Sequence, residues 1–508
     1  MKLTRQILLM FVFALTGCSF APPDKKPTIP QSKTYKEAVH WVLAKPSLPQ
    51  AIKNQIWWRV FKDKTLSTLE EQLTASNPNL KLAYSRFQES KALVEEAVSA
   101  MYPTLLLNVG ESRQKNPQTT ANSFNQRTFT FNTVTLQGYL NYEVDAWGAI
   151  RNQVQASIHS SAASQYDLAA VDLSLHAMLA TVYFQLRGAD EMQLVLDKIV
   201  DCYHHAWVLM HELHRGGAVS ALEEDQALSL LAHAKTNATD MRLQRAKLRH
   251  ALAVLVGEIP ATFKLPKKRS PIRFVALSPG LPSTLLEQRP DVSAALQRVE
   301  SANASIGVAR AAFFPNFTLA SLVGVQSMSY QKLFSRPSLI WALGPPSQLR
   351  PSPLEISQIV FDGYYLQANL RRAKASYYEM VNQYRQVVLT AFQEVEDGLV
   401  ETYRLDQENT QQAQSTKDAN RALYHANQRM KEGMVTYLQV VNIEVDALQR
   451  QLNLIQIQTA RQVASVYLIK ALGGGWKRPP VAPNPDPIPR VKGQIKVPFE
   501  DASANVLP

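Results

Sequence analysis

Residues 290–315 read PDVSAALQRVESANASIGVARAAFFP, and residues 78–103 read PNLKLAYSRFQESKALVEEAVSAMYP. Both stretches begin and end with proline, and each proline of the later stretch follows its counterpart by 212 residues. Because proline is tolerated in the first turn of a helix and ends a helix that reaches it, both stretches are predicted to be helices. Two matched helices so far apart in the chain indicate that the fold is built from a duplicated unit.

Two further landmarks extend the repeat. Residues 145–148, Asp-Ala-Trp-Gly, correspond to residues 361–363, Phe-Asp-Gly. Residues 217–220, Gly-Ala-Val-Ser, correspond to residues 433–436, Gly-Met-Val-Thr, which follow 216 residues later. Four landmarks in the same order, with only a few residues of drift, indicate an internal duplication.

The duplication divides the chain into two units, predicted at residues 60–257 and 285–472 and joined by a connector at residues 258–284. Within each unit a helical period gives way to residues rich in Thr, Phe, Tyr and Val, which are typical of strands, and the helical period then returns. A polar stretch from Lys115 to Asn122, between Leu107 and Thr128, suits the hairpin loop of the first unit.

The second helical period of each unit is long. No proline interrupts the chain between Gly363 and Gly433, and apolar residues recur in alternating steps of three and four with many alanines. This spacing is typical of coiled coils, and alanine allows helices to approach closely. At 1.5 Å per residue a continuous helix of this kind spans about 100 Å, which suits a strut across a compartment.

Two strands per unit give four strands per chain, which are too few to close a barrel. No segment after the N-terminal one has about 18 uninterrupted apolar residues, so a membrane crossing would need a closed β-barrel. The expected fold class is therefore mainly α with a membrane β-barrel. Three chains would pool twelve strands, and their long helices would continue the barrel as a coiled-coil tunnel.

The N-terminal segment has the layout of a bacterial lipoprotein signal. Lys2 and Arg5 precede an apolar stretch, and Leu15-Thr-Gly-Cys18 follows it. We expect a signal peptide at residues 1–17, acylation of Cys18 and an extended linker at residues 18–59. Ser19 is not the aspartate that retains lipoproteins in the inner membrane, which favours the outer membrane.

The composition and motifs of the rest of the chain exclude several functional classes. The net charge of +12 comes from basic residues scattered singly along helical faces, so no nucleic acid is expected as a partner. No catalytic motif, cofactor site or phosphate loop occurs.

His204, His211 and His214 share a helical face near Cys202, but we favour a structural role over a metal site. The proline-rich tail, residues 473–508, is predicted to be extended or disordered.

The chain resembles the outer membrane factor family of TolC-like ducts, and within it the NodT-like lipoprotein branch. The resemblance rests on motifs spread over nearly the whole mature chain. These motifs are Leu286-Glu-Gln-Arg-Pro-Asp-Val, Ile306-Gly307, Ala311-Ala-Phe-Phe-Pro-Asn-Phe, Val360-Phe-Asp-Gly363, Tyr142-Glu-Val-Asp-Ala-Trp-Gly and Ala471-Leu-Gly-Gly-Gly-Trp476.

The resemblance implies a homotrimer with a twelve-stranded barrel in the outer membrane and a long helical tunnel in the periplasm. Its partners would be outer-membrane lipid, a periplasmic adaptor and an inner-membrane pump of the RND type or another type, and it would not be an enzyme. The turns at the periplasmic tip would dock the adaptor. These are Gly216, Gly217, Val219, Ser220, Gly433, Met434, Val435 and Thr436.

The resemblance also implies a constriction just beyond the second turn. Relatives commonly carry acidic residues there, whereas this chain has Gln439 and Asn442, with Glu223 at the matching place in the first unit. Amides hydrogen-bond without charge. We therefore expect the constriction to be closed by packing and amide contacts, and to prefer cations less than the constriction of acidic relatives does.

Two other departures concern the second unit. Tyr364 and Tyr365 follow Asp362-Gly363 where relatives often have Gly-Arg, and residues 345–353 carry four prolines where a final strand is expected. Proline is confined to sheet edges and bulges, so this segment is expected to be a loop or an irregular strand.

Three functions compete at this point. The leading one is an exit duct for small molecules delivered by an adaptor and a pump. The second is the exit of a type I protein secretion system, which would use the same fold. The third is a periplasmic coiled-coil scaffold without a pore, which has no use for the paired strand regions.

Overall fold

A computed structural model gives the structure, and it describes residues 20–23, 27, 36, 56–116, 129–265, 288–344 and 354–476. Cys18, most of the connector and the tail beyond Trp476 lie outside the described residues. So does the segment between Gly344 and Leu354.

The first unit begins with a short 3-10 helix, Trp57–Phe61, and continues as α1 (Lys64–Ser76), α2 (Pro78–Ser99), β1 (Thr104–Asn116), β2 (Phe129–Val144), α3 (Ala149–Arg215) and α4 (Ala221–Leu255). The second unit consists of α5 (Pro290–Ala311), β3 (Asn316–Ser327), β4 (Leu339–Leu343), β5 (Leu354–Ser357), α6 (Tyr365–Lys431) and α7 (Tyr437–Ala471), with 3-10 turns at Tyr330–Lys332 and Arg336–Ser338.

Equivalent helices of the two units have equal lengths. Helices α2 and α5 each have 22 residues, α3 and α6 each have 67, and α4 and α7 each have 35. The predicted fold class, mainly helical with a small sheet and two repeats, is therefore confirmed. The two 67-residue helices are each about 100 Å long at 1.5 Å per residue.

The sheet is antiparallel in the order β1-β2-β3-β4, and β5 pairs with the same edge of β3 as β4 does. Two short strands thus share the fourth position, as expected from the prolines between them. The duplication extends to the register, because Thr104 faces Asn141 and their equivalents, Asn316 and Ser357, also face each other.

Strand β1 continues to Asn116, which pairs with Phe129 at the far end of β2. The first two residues of the predicted polar loop, Lys115 and Asn116, thus belong to the strand, and the rest of that loop lies outside the described residues. Polar side chains are compatible with a strand whose partner supplies a complete ladder of backbone hydrogen bonds, so polarity alone did not mark the end of β1.

The aspartate–glycine landmarks of the sequence start the two long helices. The carboxylate of Asp145 accepts the N–H groups of Ile150 and Arg151 at 3.1 and 2.9 Å, and Asp362 accepts that of Leu366 at 2.8 Å. These N–H groups have no partner within a helix, so the aspartates satisfy them. Tyr364 has φ +69°, a conformation that costs a non-glycine residue about 1 kcal/mol.

The main hydrophobic core lies where α1, α3, α4, α5, α6 and α7 meet. Its fully buried side chains include Leu66, Leu179, Leu252, Leu399 and Leu468. Of the described helices, only α3 contains a stretch that is apolar enough, by length and composition alone, to cross a membrane. Helix α3 contributes Leu179 and Leu186 to this core, and 33% of its apolar stretch is buried.

Candidate functional site

The two helical turns predicted to form the tip have the same backbone geometry. Gly217 has φ +70° and Gly433 has φ +72°. In the first turn the N–H of Ala218 donates to the carbonyl of Leu213 at 2.9 Å, and in the second the N–H of Met434 donates to that of Arg429 at 2.9 Å. Both turns are Schellman motifs, in which glycine adopts the left-handed conformation without a steric cost.

Each turn is followed by a capping box. The N–H of Ser220 donates to the carboxylate of Glu223 at 3.0 Å, and the N–H of Thr436 donates to the side-chain oxygen of Gln439 at 3.0 Å. The hydrogen bond from the Ser220 side chain lowers the pKa of Glu223, so its charge is retained in mild acid. The two helices α4 and α7 are thus started by equivalent contacts.

The predicted constriction residues lie on exposed surface. Gln439 and Asn442 are exposed and, being three residues apart, share one face of α7. Glu223 is exposed at the equivalent position of α4. Sequence reasoning did not foresee that Gln439 and Glu223 cap their helices, although the pattern Ser/Thr-x-x-Glu/Gln carries that signal.

The histidines near the first turn contact carboxylate and carbonyl oxygens. His211 Nδ1 lies 2.8 Å from Glu224 of α4, and His214 Nδ1 lies 3.1 Å from the carbonyl of Val219. Within the described part of the chain, no three His, Cys, Asp or Glu side chains are grouped so that they could hold a metal ion.

Burial, followed by the nearby Glu444 carboxylate, raises the pKa of the Cys202 thiol to about 12, so the thiolate is disfavoured.

A buried charged cluster joins α1 to α3. His176 Nδ1 lies 2.6 Å from the Glu70 carboxylate, His176 Nε2 lies 3.4 Å from Asp172, and the Trp58 ring stacks on the imidazole at 4.5 Å. Burial alone would lower the pKa of His176, but the hydrogen bonds and charges of Asp172 and Glu70 outweigh it and raise the pKa to about 9. At neutral pH His176 is therefore charged.

Arg289, from the motif Leu286-Glu-Gln-Arg-Pro-Asp-Val, is buried and joins three elements. Its guanidinium donates to Asp291 and Glu394 at 2.6 Å each and to the carbonyl of Ala471 at 3.1 Å. These hydrogen bonds tie α5 to α6 and to the end of α7. They stabilise the charged form and raise the pKa of Arg289, although burial opposes the charge.

The described residues of the N-terminal segment lie along the second unit. The Phe20 ring stacks on Phe314 at 4.5 Å, and the carbonyl of Pro22 accepts a hydrogen bond from Asn303 at 3.0 Å. Farther along, the N–H of Lys36 donates to Glu396 on α6 at 2.8 Å. At these points the described residues of the segment contact the second unit.

The sequence profile of the outer membrane efflux protein family matches residues 69–258 and again residues 281–474. The chain belongs to this family. The resemblance to TolC-like ducts is thereby confirmed, and this efflux protein is located in the outer membrane. Its two profile matches fall on the two structural repeats.

Among similar proteins, the pyoverdine export outer membrane protein OpmQ of Pseudomonas aeruginosa is 30% identical over 428 residues, covering 83% of this chain and 87% of that protein. The cation efflux system protein CusC of Escherichia coli is 26% identical over 469 residues, covering 92% and 97%. The crystal structure of the CmeC outer membrane channel of Campylobacter jejuni superposes with a TM-score of 0.84 at 23% identity, covering 91% and 96%, which supports the same fold.

Proposed function

We propose that this efflux protein is the passive exit duct of a tripartite efflux system. In this proposal a homotrimer, anchored by acylated Cys18, receives small molecules from a periplasmic adaptor and an inner-membrane pump. The observation that carries the proposal is the presence, in each repeat, of antiparallel strands that include at least one of 12 or more residues, together with a helix of 67 residues. Such an arrangement provides both a wall within the membrane and a tube about 100 Å long below it.

The sheet presents apolar side chains suited to lipid contact. In β4 the residues Leu339, Trp341 and Leu343 are exposed, while the alternate residues are partly covered. Side chains of a strand alternate between its two faces, and transmembrane barrels direct their apolar face to lipid. The exposed apolar face of β4 therefore supports membrane insertion of the assembled sheet.

The cargo is proposed to be selected by the pump. The relatives are named for pyoverdine export and for cation efflux, which are chemically unlike cargoes. A duct without a selective binding pocket serves both, so one fold can work with different pumps.

The turns at Gly217 and Gly433 are proposed to dock the adaptor, and Gln439 with Asn442 to form the constriction. Conductance of the purified trimer in planar lipid bilayers tests this. Replacing Gln439 by Glu keeps the capping acceptor and adds a carboxylate, so the preference for cations over anions should increase. The matched control replaces Gln449 by Glu, ten residues further along α7 on exposed surface. Equal ion selectivity in both variants would exclude the constriction assignment.

The same measurement tests the duct itself. The double variant Gln439→Ala with Asn442→Ala should conduct more than the unmodified trimer. Absence of conductance in all variants would favour a scaffold without a pore. Copurification with an adaptor and a pump supports efflux, whereas copurification with a protein-secretion transporter would favour secretion.

A further inference from the structure

The sheet has two ends, and the helices adjoin only one of them. They adjoin it at Thr104, Val144 and Asn316, so the connections from β1 to β2 and from β3 to β4 lie at the opposite end. In the proposed duct the helices lie in the periplasm. The opposite end of the sheet therefore reaches the outer leaflet of the outer membrane.

One face of the sheet is apolar over most of its length. A row of ladder partners crosses the four strands on this face, and its members are Val109, Leu136, Val325 and Leu339. Residues that face each other across a ladder point to the same side of a sheet. Val109 and Leu339 are 70% and 60% exposed, and Leu339 belongs to the face of β4 proposed above to contact lipid.

The same face becomes charged just above this row. On β1 the next residues on the face are Glu111, Arg113 and Lys115, and all three are exposed. A rise of about 3.3 Å per residue and a strand tilt of about 45° place Arg113 about 9 Å above Val109. Lipid headgroups begin where the hydrocarbon ends, so these charged side chains lie at the level of the headgroups.

The chain between β3 and β4, residues 328–338, folds back over this face. The Tyr330 hydroxyl donates to the Glu111 carboxylate at 2.5 Å. Because β2 lies between β1 and β3, this hydrogen bond passes over β2 near Val134, which faces Glu111 on one side and Ser327 on the other. Val134 is only 5% exposed, which agrees with this cover. Residues 328–338 therefore lie on the apolar, lipid-facing side of the sheet.

Hydrogen bonds within this segment hold its backbone. The hydroxyls of Ser335 and Ser338 both donate to the carbonyl of Lys332, at 2.7 and 2.6 Å. The side chains of Lys332, Phe334 and Arg336 remain exposed. Aromatic side chains are enriched where a membrane meets water, and Phe334 is 78% exposed beside the two cations.

The cations at this end of the sheet form one surface, which we call the basic rim. Its members are Arg113 and Lys115 of β1 with Lys332 and Arg336 of the segment between β3 and β4. Within the described residues, none of the salt bridges involves a residue of the basic rim.

The sequence around the basic rim has few acidic residues. Residues 109–142 contain three basic residues and one acidic residue, Glu111, and residues 316–354 contain three basic residues and no acidic residue. The end of the sheet away from the helices thus carries an excess of positive charge.

We propose that the basic rim binds the phosphate groups of the glycolipid in the outer leaflet, and this proposal rests on the membrane orientation of the proposed duct. Arginine binds phosphate through paired N–H groups and lysine binds it as a point charge. Basic clusters next to a membrane-embedded surface are attracted to anionic headgroups. The apolar rows directly below the rim contact the acyl chains of the same lipid.

Binding of lipid A, a glycolipid with two phosphates, tests the proposal. The full-length protein is purified in nonionic detergent and titrated with fluorescent lipid A at low salt without divalent cations. The control ligand is lipid A from which both phosphates have been removed. We expect the phosphorylated lipid to bind at least about thirtyfold more tightly, because each basic side chain near an anionic lipid changes the affinity about fivefold. Equal affinities for the two lipids would overturn the proposal.

Substitutions assign the binding to the rim. Lys332→Gln with Arg336→Gln removes two exposed charges and should weaken binding of lipid A about thirtyfold. The matched control, Lys235→Gln with Arg249→Gln, removes one lysine and one arginine from exposed surface of α4 and should bind like the unmodified protein. Equal affinity in the two double variants would contradict the assignment.

Two further measurements examine the chemistry of the contact. Glu111→Gln keeps an acceptor for the Tyr330 hydroxyl and removes the carboxylate, so affinity for lipid A should rise about fivefold. An unchanged or lower affinity would argue against charge as the basis of binding. Millimolar inorganic phosphate should leave lipid A bound, whereas its displacement would identify a site for a free anion and refute the assignment to lipid.

Conductance in planar bilayers separates failure of this proposal from failure of the duct. The variants of Lys332 and Arg336 should conduct like the unmodified protein. Phosphate-dependent binding of lipid A by a protein that does not conduct would exclude the duct and support the basic rim. A conducting protein that binds both forms of lipid A equally would exclude the rim and leave the duct in place.

Discussion

The buried contact between His176 and Glu70 makes the packing of α1 on α3 dependent on pH. His176 is covered by the Trp58 ring and faces two carboxylates, Glu70 from α1 and Asp172 from its own helix. Its pKa rises from 6.5 to about 9, mainly because hydrogen bonds and charges of these carboxylates exceed the effect of burial. A group whose pKa is higher in the folded state stabilises that state at low pH, and the stabilisation is lost as the pH rises through the folded pKa.

The size of the effect follows from the two pKa values. A rise from 6.5 to about 9 corresponds to about 3 kcal/mol, fully present below pH 6.5 and lost by about pH 10. Burial also raises the pKa of Glu70, from 4.5 to about 7, so Glu70 acts in the same direction over a lower range. The change in stability above pH 7 therefore reports mainly on the titration of His176.

Hydrogen exchange of the backbone amides of α1 measures this packing directly. After correction for the intrinsic exchange rate, the free energy of opening α1 should fall by up to about 3 kcal/mol between pH 7 and pH 10, which is about a hundredfold in the opening constant. The variant His176→Gln keeps a hydrogen-bond donor without a titratable group, so its opening should vary little over this range. The control His233→Gln, on exposed surface of α4, should behave like the unmodified protein. Equal pH dependence in the unmodified protein and in His176→Gln would refute the reasoning.

Four further substitutions, with Arg298→Ala as the control for the first, should have measurable effects on stability. Arg289→Ala removes a buried guanidinium from the partly exposed carboxylates of Asp291 and Glu394 and should cost about 1–3 kcal/mol per protomer, whereas Arg298→Ala, at a more exposed ion pair, should cost under about 1 kcal/mol; equal losses would contradict the role of burial. Gly188→Ala places a Cβ against the Thr459 side chain of α7 and should cost about 1–3 kcal/mol, so an unchanged melting temperature would show that α7 can shift. Thr436→Ala removes a helix cap and should cost about 1 kcal/mol, seen as faster amide exchange in the first turn of α7 only; uniform exchange changes would argue for a wider role. Gly433→Ala should cost about 1 kcal/mol through backbone strain alone, because a Cβ there meets no atom within 4 Å.

The duplication was predictable from the sequence because local chemistry marks the boundaries of each repeated element. Pro78 and Pro290 start equivalent helices, and Gly217 and Gly433 end equivalent helices in the left-handed conformation. These residues act through their own backbone, so their effect can be read without knowing what lies nearby. The prolines near residue 350 likewise indicated that the fourth strand is interrupted.

Contacts between distant parts of the chain were not predictable in this way. Glu70 and His176 are 106 residues apart, and nothing in either local sequence indicates the other. Arg289 belongs to the motif at residues 286–292, but its hydrogen bonds to Glu394 and to the end of α7 depend on the packing of three helices. Single-residue signals fix where elements start and stop, whereas pairing of charges requires the tertiary arrangement.

The contacts of the N-terminal segment bear on the order of events during export. In a chain that leaves the cytoplasm N-terminus first, Phe20 emerges early, but its stacking partner Phe314 emerges only after about 290 further residues. The contact of Lys36 with Glu396 forms later still, because 360 residues separate the two positions. The segment next to the predicted lipid anchor therefore makes these contacts only after the second repeat has emerged and folded.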